Sequence, residues 1–311
     1  MATAFLFPGQ GSQAVGMGHQ LYEQHEEARA RFEAANEILD FDLLSLMFGL
    51  GADADDAEER LKQTEITQPA LYTHSLAAMA VLDAKGLQPD MVAGHSLGEY
   101  SALAAVGALS FEDGLRVVRR RGELMGEAGE RRPGGMAAVL GADDDHVEEV
   151  CEEISASGDG VVQPANYNAP GQIVISGDVE AVERATEAVS GRAMSLPVSG
   201  AFHSPLMEYA REGLAEMLDT VAISVPRCPV YPNVTAEPTT DPDEIRRRLT
   251  EQLLSPVQWA PTLRRMHADG ATRFVEVGTG QVLQGLVGRT LDDAETMGAG
   301  TPEEIERLAG A

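Results

Sequence analysis

A serine flanked by two glycines stands in the sequence Gly94-His-Ser-Leu-Gly98. The short apolar run from Met91 to Ala93 precedes it, and a helix-compatible segment follows directly. This is the G-x-S-x-G pattern, which in a strand–turn–helix context exposes a nucleophilic serine on a tight turn. The flanking residues must be small because the backbone is crowded at such a turn. The pattern indicates acyl chemistry at Ser96, but so short a motif also occurs in ordinary βα turns.

Two donors are candidates for stabilising a negatively charged oxygen beside Ser96. The Leu97 N–H would lie at the first turn of the following helix, where unpaired donors and the positive end of the helix dipole favour an oxyanion. The second donor would come from the glycine-rich loop that follows the apolar strand Ala4 to Phe7 (the Gln10 loop), as the amide of Gln10 or Gln13 or as a loop N–H. Ligands commonly bind at such loops in α/β sheets. From spacing alone, an ordinary connection explains the Gln10 loop better.

A substrate anchor and a general base are also available farther along the chain. One predicted helix carries Arg116, Arg119, Arg120 and Arg121, which cannot all share a face at a period of 3.6 residues. An arginine aimed at the serine would bind a substrate carboxylate bidentately, whereas a surface ion pair is the usual role of each arginine alone. His203 lies at a segment junction, where a histidine can serve a serine as general base.

The composition excludes several classes of protein. The net charge of −27 repels nucleic acid and anionic membranes, so neither is an expected partner. Only Lys62 and Lys85 are lysines, a bias that favours adaptation to high salt over a merely acidic surface. Cys151 and Cys228 are too few for a disulfide framework, and the N-terminus reads as a strand rather than a signal peptide. A cytoplasmic protein is expected.

The order of strands and helices predicts an α/β fold with an insertion. Residues 1–129 and 199–311 are expected to form a large α/β-hydrolase-like domain with a parallel sheet. Residues 130–198 have the order β-α-β-β-α-β and are expected to form an inserted small ferredoxin-like (βαββαβ) subdomain. Strands at 161–165 and 173–176 would flank an Asn-Tyr-Asn-Ala-Pro-Gly turn, and a helix at 282–291 would close the fold. A glycine- and aspartate-rich loop is predicted at 49–56.

A series of motifs spread along nearly the whole chain resembles the malonyl-CoA:acyl carrier protein transacylase family. The motifs are Phe7-Pro-Gly-Gln-Gly-Ser-Gln13, Gly94-His-Ser-Leu-Gly-Glu99, Arg121-Gly122 with Met125, Asn166-Tyr-Asn-Ala-Pro-Gly-Gln172, Phe202-His-Ser-Pro-Leu-Met207, Asn233-Val-Thr-Ala236, Ser255-Pro-Val-Gln-Trp259 and Glu276-Val-Gly278. The family more often has proline in place of Thr279. Together these motifs are far more specific than any one of them.

The resemblance implies a role for each residue of the reacting centre. Ser96 would attack the malonyl thioester, and His203 would take the serine proton and return it to the leaving thiol. A backbone carbonyl or amide near Gln258, rather than a carboxylate, would orient His203. Gln10 and the Leu97 N–H would form the oxyanion hole.

The resemblance also implies which residues recognise the substrate. Arg121 would bind the free carboxylate of malonate, and Phe202 matches the form of its motif found in malonyl-selecting members. Asn166 and Asn168 would line the cleft near the malonyl or pantetheine group.

The implied reaction moves malonyl from malonyl-CoA to the phosphopantetheine thiol of acyl carrier protein, in type II fatty acid synthesis, without a metal or other cofactor. A monomer is expected. Because acyl carrier proteins are acidic, docking would need a local arginine patch. Its candidates are Arg116, Arg119, Arg120, Arg131, Arg132, Arg192, Arg264 and Arg265.

Two alternatives stay open at this point. One is a discrete acyltransferase of a polyketide or polyunsaturated fatty acid pathway, which shares every motif. The other is a serine hydrolase or thioesterase, against which Arg121 argues because hydrolases of neutral esters need no carboxylate anchor.

Overall fold

The computed structural model describes residues 2–51, 56–198 and 200–310. Its strands are β1 (Ala2–Phe7), β2 (Met91–Gly94), β3 (Gly134–Leu140), β4 (Val162–Ala169), β5 (Gln172–Asp178), β6 (Arg192–Ser195), β7 (Val230–Tyr231), β8 (Ala271–Glu276) and β9 (Glu295–Gly298). They form a five-stranded sheet in the order β7-β2-β1-β8-β9 and a four-stranded sheet in the order β4-β5-β3-β6. The predicted α/β class, with a parallel sheet and a smaller second sheet, is confirmed.

The helices lie between and around these strands. They are α1 (His19–Gln24), α2 (Glu26–Ile38), α3 (Leu43–Phe48), α4 (Ala57–Leu61), α5 (Thr64–Ala84), α6 (Gly98–Ala105), α7 (Phe111–Arg131), α8 (Asp144–Ala156), α9 (Val179–Ala188), α10 (Glu208–Asp219), α11 (Pro242–Gln252), α12 (Trp259–Ala268), α13 (Val282–Thr290) and α14 (Pro302–Ala309), with a short 3-10 helix at Pro205–Met207. None of these described helices is long and apolar enough to cross a membrane.

The large sheet is parallel throughout, and its central strand β1 packs into apolar clusters on both faces. Along β1, Phe5 and Phe7 pack into one apolar cluster while Ala4 and Leu6 pack into another, because successive side chains of a strand point to opposite faces. Helices cover both faces, as parallel sheets require. The carboxyl ends of β1 and β2 lie side by side, with Phe7 paired to Gly94. The Gln10 loop and the Ser96 turn therefore leave the sheet at the same edge.

The small sheet is antiparallel and has its own apolar core. The order of its elements, β3-α8-β4-β5-α9-β6, is βαββαβ. Residue 199, where the sequence places the return to the large domain, lies outside the described residues, as do positions 52–55 of the predicted glycine- and aspartate-rich loop. The exact domain limits stay a prediction.

Two sequence predictions about local structure were wrong. Asn166 and Asn168 lie within β4 rather than in a turn, because register shifts at Pro164/Asn166 and Tyr167/Ala169 let the strand continue to Ala169. The helix near residue 290 does not close the fold, since β9 and α14 follow it. The four-residue strand β9 lies half-buried at the edge of the sheet, so its sequence lacks a clear apolar alternation.

Candidate active site

Ser96 lies on the turn between β2 and α6, in a strained backbone conformation. Its φ is +50°, a region that residues with a side chain seldom adopt. A Cβ on Gly94 would lie 1.9 Å from the backbone of Gly98, and a Cβ on Gly98 would lie 2.0 Å from the Phe7 carbonyl oxygen. Both glycines are needed because three backbone segments meet there. The nucleophile-elbow geometry expected from the motif is present.

The side chain of Asn233 holds this turn from the far side. Its Oδ1 accepts a hydrogen bond from the Ser96 N–H at 2.7 Å, and its Nδ2 donates to the Gly94 carbonyl at 2.6 Å. Asn233 is buried and follows the end of β7, next to β2 in the sheet. One amide thus satisfies two backbone groups of a strained turn, which keeps the serine in place.

His203 and Ser96 form a dyad. His203 Nε2 lies 2.8 Å from Ser96 Oγ, and His203 Nδ1 lies 2.9 Å from the backbone oxygen of Gln252. A carbonyl oxygen only accepts, so Nδ1 carries the proton and Nε2 is free to accept one from the serine. Burial, followed by the positive charge of Arg121, lowers the pKa of His203 to about 3, so the imidazole is neutral at physiological pH and its Nε2 lone pair is free to accept a proton.

His203 Nδ1 contacts a backbone carbonyl rather than a carboxylate, as predicted, but the predicted position near Gln258 was wrong, because the carbonyl belongs to Gln252. Gln252 is the last residue of α11, where carbonyls have no partner within the helix and are free to accept other donors. The Gln258 N–H instead donates to the Asn233 carbonyl at 2.8 Å. Gln258 therefore supports the serine turn through Asn233.

Arg121 reaches the serine from α7 and is only 1% exposed. Its Nη2 donates to Ser96 Oγ at 3.1 Å and to Gln252 Oε1 at 2.9 Å, while Nη1 donates to Gln68 Oε1 at 2.9 Å. Its Nε is buried and has no hydrogen-bond partner among the described residues. Of the five arginines on α7, this is the one brought to the serine, on the buried side of the helix.

A cavity of about 120 Å³ opens in front of the dyad. It is lined by Gln10, His95, Ser96, Met136, Asn166, Leu196, Val198, Phe202 and His203. Four residues predicted to bind the substrate or the oxyanion lie near the serine. Gln10, Asn166 and Phe202 are in the cavity wall, and Leu97 directly follows Ser96 in the chain. A larger cavity of about 400 Å³ between residues 16–21, 278–281 and 300–304 contains none of them.

The oxyanion candidates differ in how they are held. Leu97 immediately precedes α6, and within the described chain no acceptor contacts its N–H, which leaves this donor available. Gln10 Nε2 makes one long contact of 3.4 Å with Thr64 Oγ1, a partner that a substrate oxygen can replace at low cost.

Asn168 reaches the site through a neighbouring histidine. Its Oδ1 lies 2.8 Å from His95 Nε2, and the His95 ring packs edge-on against Trp259. Burial lowers the pKa of His95, so this imidazole is neutral as well. Asn168 therefore positions a wall residue of the cavity, while Asn166 lines the cavity directly.

Several residues of the site have no individual prediction from the sequence. Gln252 and Gln68 contact Arg121, Glu99 contacts Gln252, and Gln163 Nε2 donates to the His203 carbonyl at 2.9 Å. Glu99 and Asn233 are within recognisable motifs, which was a usable signal. Gln252, Gln68 and Gln163 are isolated glutamines whose importance depends on contacts across 53 residues or more or, for Gln163, 40 residues.

The comparisons with known proteins agree with this geometry. Residues 4–304 match the family model described as the acyl transferase domain. Malonyl CoA-acyl carrier protein transacylase from Bacillus subtilis is 47% identical over 307 residues, covering 97% of this chain and 95% of that protein. The protein of the same name from Staphylococcus aureus is 42% identical, covering 98% of this chain and 97% of that protein.

Solved structures are equally similar. The acyl-carrier-protein-S-malonyltransferase from Bartonella henselae superposes with a TM-score of 0.92 at 41% identity, covering 100% of both chains. A malonyl-transacylase solved in complex with a type II PKS acyl-carrier protein superposes with a TM-score of 0.92 at 35% identity, covering 100% of this chain and 99% of that one. With the family model matched over almost the whole sequence, this chain belongs to the acyl transferase family.

Proposed function

We propose that this protein transfers the malonyl group of malonyl-CoA to the phosphopantetheine thiol of acyl carrier protein, through a malonyl ester on Ser96. The observation that carries the proposal is the position of Ser96 Oγ, 2.8 Å from His203 Nε2 and 3.1 Å from Arg121 Nη2. A base and a fixed cation on one nucleophile suit an acyl group that carries its own carboxylate. The printed names of the relatives support the same reaction.

In the first half-reaction, Ser96 Oγ attacks the thioester carbonyl while its proton passes to His203 Nε2. The Nδ1–H of His203 stays hydrogen-bonded to the Gln252 carbonyl, which stabilises the imidazolium that forms. The oxyanion of the tetrahedral intermediate would be held by the Leu97 N–H and Gln10. The C–S bond then breaks, and His203 returns the proton to the leaving thiolate of CoA.

Arg121 would bind the malonyl carboxylate in place of its contact with Ser96 Oγ. The guanidinium is already desolvated and held by Gln68 and Gln252, so the substrate carboxylate meets a fixed donor rather than a mobile one. An acetyl group offers no carboxylate and gains nothing from this contact.

In the second half-reaction, the carrier thiol gives its proton to His203 and attacks the malonyl ester, which regenerates Ser96. Both half-reactions exchange one ester or thioester for another, so the chemistry requires no redox group. Met136, Leu196, Val198 and Phe202 give the cavity an apolar wall. Such a wall would keep water from hydrolysing the ester.

The carrier would dock on arginines that are not already neutralised. Of the predicted patch, Arg116, Arg119, Arg120, Arg132 and Arg265 each lie within 4.0 Å of a carboxylate oxygen. No such pair occurs in the described chain for Arg131, Arg192 or Arg264. Arg131 packs on the Tyr209 ring at 3.8 Å. Arg192 is exposed on β6, whose chain continues into Leu196 and Val198 of the cavity wall, so we place the carrier there.

A single-turnover experiment tests the proposal. The protein is mixed with labelled malonyl-CoA, and the label is followed by intact-protein mass spectrometry before and after a holo acyl carrier protein is added. We expect one malonyl group on the protein, absent from Ser96→Ala, and its quantitative transfer to the carrier. Rapid release of free malonate before the carrier is added would instead identify a hydrolase.

The choice of carrier protein separates a role in fatty acid synthesis from a role in a polyketide pathway. The comparison of kcat/KM for a fatty acid carrier and for a type II polyketide carrier decides which pathway the protein supplies, and we expect the fatty acid carrier to be preferred. A cytoplasmic location belongs to the same proposal and is supported by the unpaired state of Cys151 and Cys228.

A further inference from the structure

Glu99 is a buried carboxylate directly beneath the reacting serine, and the proposed mechanism gives it no task. It lies on α6, three residues after Ser96, and is 1% exposed. Its Oε2 accepts hydrogen bonds from the Asn233 N–H at 3.0 Å and from Gln252 Nε2 at 2.8 Å. A carboxylate is seldom buried without a partner of opposite charge, so the burial of Glu99 with uncharged donors needs a physical reason.

The side-chain amide of Gln252 connects this carboxylate to the substrate anchor. Its Nε2 faces Glu99 and also lies 3.1 Å from the Ser96 carbonyl, while its Oε1 accepts from Arg121 Nη2 at 2.9 Å. The amide dipole is therefore aligned between a negative and a positive group. The reversed amide would place N–H groups against the guanidinium and an oxygen against the carboxylate, and both contacts would be repulsive.

Among the described residues, the hydrogen-bond acceptors of Arg121 are all uncharged, namely the side-chain oxygens of Gln68, Gln252 and Ser96. Within the described residues, no carboxylate oxygen lies within 4.0 Å of its guanidinium. A direct ion pair would occupy the donors that a substrate carboxylate needs. An anion one amide away supplies a counter-charge while leaving those donors exchangeable.

We propose that Glu99 is a positioning residue for carboxylate recognition: it fixes the orientation of the Gln252 amide and, through Gln252 Oε1, holds Arg121 within reach of an acyl group on Ser96. This inference rests on the proposed function, in which Arg121 binds the malonyl carboxylate. Gln68 supports the same guanidinium from the other side, but the far end of its amide faces the Met125 sulfur rather than a charge. Of the two glutamines that hold Arg121, only Gln252 therefore has its amide orientation fixed by a charged group, and that group is Glu99.

The choice of pH follows from the burial of Glu99. Burial raises the pKa of this carboxyl to about 7, and the donors Asn233 and Gln252 and the charge of Arg121 oppose that rise. The test is therefore run at pH 8, where the carboxylate is ionised.

The first test compares Glu99→Gln with Glu276→Gln in the acylation half-reaction. Glu276 is a matched control because it is also a fully buried carboxylate, but it accepts from the N–H groups of Leu283 and Gln284, at the start of α13. The ratio of kcat/KM for malonyl-CoA to that for acetyl-CoA should fall about tenfold in Glu99→Gln, the scale of one hydrogen bond to a charged group. In Glu276→Gln the ratio should stay unchanged.

A purely structural role for Glu99 would lower both rates equally, or lower only the melting temperature, and either result would overturn the proposal. If Glu99→Gln does not fold, Gln252→Met removes the same amide bridge from its other end and should produce the same fall in the ratio. An unchanged ratio in that variant would also overturn the proposal.

A second test uses the Arg121→Ala background. There, Glu99→Gln should cause no further change in the malonyl-to-acetyl ratio, because the residue through which it acts is gone. A further fall of the same size would show that Glu99 acts by another route. An Arg121→Ala variant that keeps the wild-type ratio would instead refute the proposed function itself, a result that differs from an unchanged ratio in Glu99→Gln alone.

Discussion

The guanidinium of Arg121 lies 3.1 Å from the hydroxyl oxygen of Ser96, although α7 and the serine turn are separate elements of the fold. This short separation places a fixed positive charge at the position where an acyl group on the serine begins. In a malonyl ester, the free carboxylate is separated from the ester carbonyl by one methylene. The relationship between these two residues therefore favours a short dicarboxylic acyl group.

Replacement of Arg121 by alanine should invert the preference of the enzyme. The loss of a buried charge-assisted contact lowers kcat/KM for malonyl-CoA by about a hundredfold, while acetyl-CoA turnover rises because the pocket gains space and loses an unmatched charge. Acylation rates for malonyl-, succinyl- and acetyl-CoA measure this. Arg120→Ala is the control, because Arg120 is the neighbour of Arg121 in sequence but pairs with Glu123 and Glu127 instead. An equal loss for all three substrates would mean that Arg121 is structural.

Asn233→Ala should loosen the serine turn. The variant removes the acceptor of the Ser96 N–H and the donor to the Gly94 carbonyl, and leaves two buried backbone groups unpaired in a strained turn. We expect a loss of about 2–4 kcal/mol in the free energy of unfolding, together with a fall in the acylation rate. Urea denaturation and burst kinetics measure the two effects.

Asn36→Ala provides the comparison for Asn233→Ala. Asn36 Oδ1 accepts one hydrogen bond, from the Leu44 N–H at 3.3 Å, and is separate from the site. That variant should lose about 1 kcal/mol and keep its acylation rate. If Asn233→Ala behaves the same way, Asn233 does not hold the nucleophile.

Ser96, His203 and Arg121 could be identified from the sequence because each lies in a motif whose residue types indicate a particular chemical role. Gln252 could not be found in this way. Its backbone oxygen and its side chain act on residues 49 and 131 positions away, and that depends on where α11 ends relative to the serine turn. The same reason explains the error over Gln258, which lies in a stronger motif but contacts Asn233.

The central strands of the large sheet could be predicted from the sequence more easily than its edge strand β9. The apolar runs at 4–7 in β1, 91–93 in β2 and 274–275 in β8 are buried and stand out in composition, whereas β9 is short and has half-buried and exposed residues. The extension of β4 through Asn166 and Asn168 runs against strand propensity. Tertiary contacts decide it, including a bridge between Asn166 and Val257.

His74 should make the protein less stable in acid. Burial lowers its pKa from 6.5 to about 4, so the folded state keeps it neutral where the unfolded chain takes up a proton. The unfolded state therefore binds more protons between these values, and stability falls as the pH drops through 6.5. Between pH 7 and pH 5, this histidine alone should cost about 2 kcal/mol in the free energy of unfolding.

His74→Gln isolates that contribution, because glutamine can still donate to the Gly300 carbonyl that His74 Nε2 contacts at 3.0 Å. Urea denaturation of both proteins at pH 7 and pH 5 should show a smaller acid-induced loss for the variant, by about the same 2 kcal/mol. Equal losses would show that His74 takes up its proton without unfolding. Glu99 works in the opposite direction in both proteins, since its raised pKa makes stability fall as the pH rises toward 7.

Salt should stabilise the protein. With a net charge of −27, self-repulsion acts over a Debye length of about 10 Å at 0.1 M salt and only about 3 Å at 1 M. We expect the melting temperature to rise steeply with KCl. Replacement of Glu180, Glu183 and Glu187 by glutamine, along the exposed side of α9, should reduce this dependence. A melting temperature independent of KCl would exclude a high-salt adaptation.

Arg192→Glu should weaken transfer to the acyl carrier protein without weakening acylation by malonyl-CoA. Arg192 has no carboxylate partner in the described chain, and lies four residues, or about 13 Å of extended strand, before Leu196 in the cavity wall. Charge reversal at the rim of the surface on which the acidic carrier docks should raise the KM for the carrier several-fold, with a strong dependence on salt. Arg116→Glu changes the net charge equally but starts from an arginine paired with Asp113, so it separates docking from net charge. If the two variants raise the carrier KM equally, the effect comes from overall charge, and Arg192 is not the contact that lets so acidic an enzyme bind an acidic carrier.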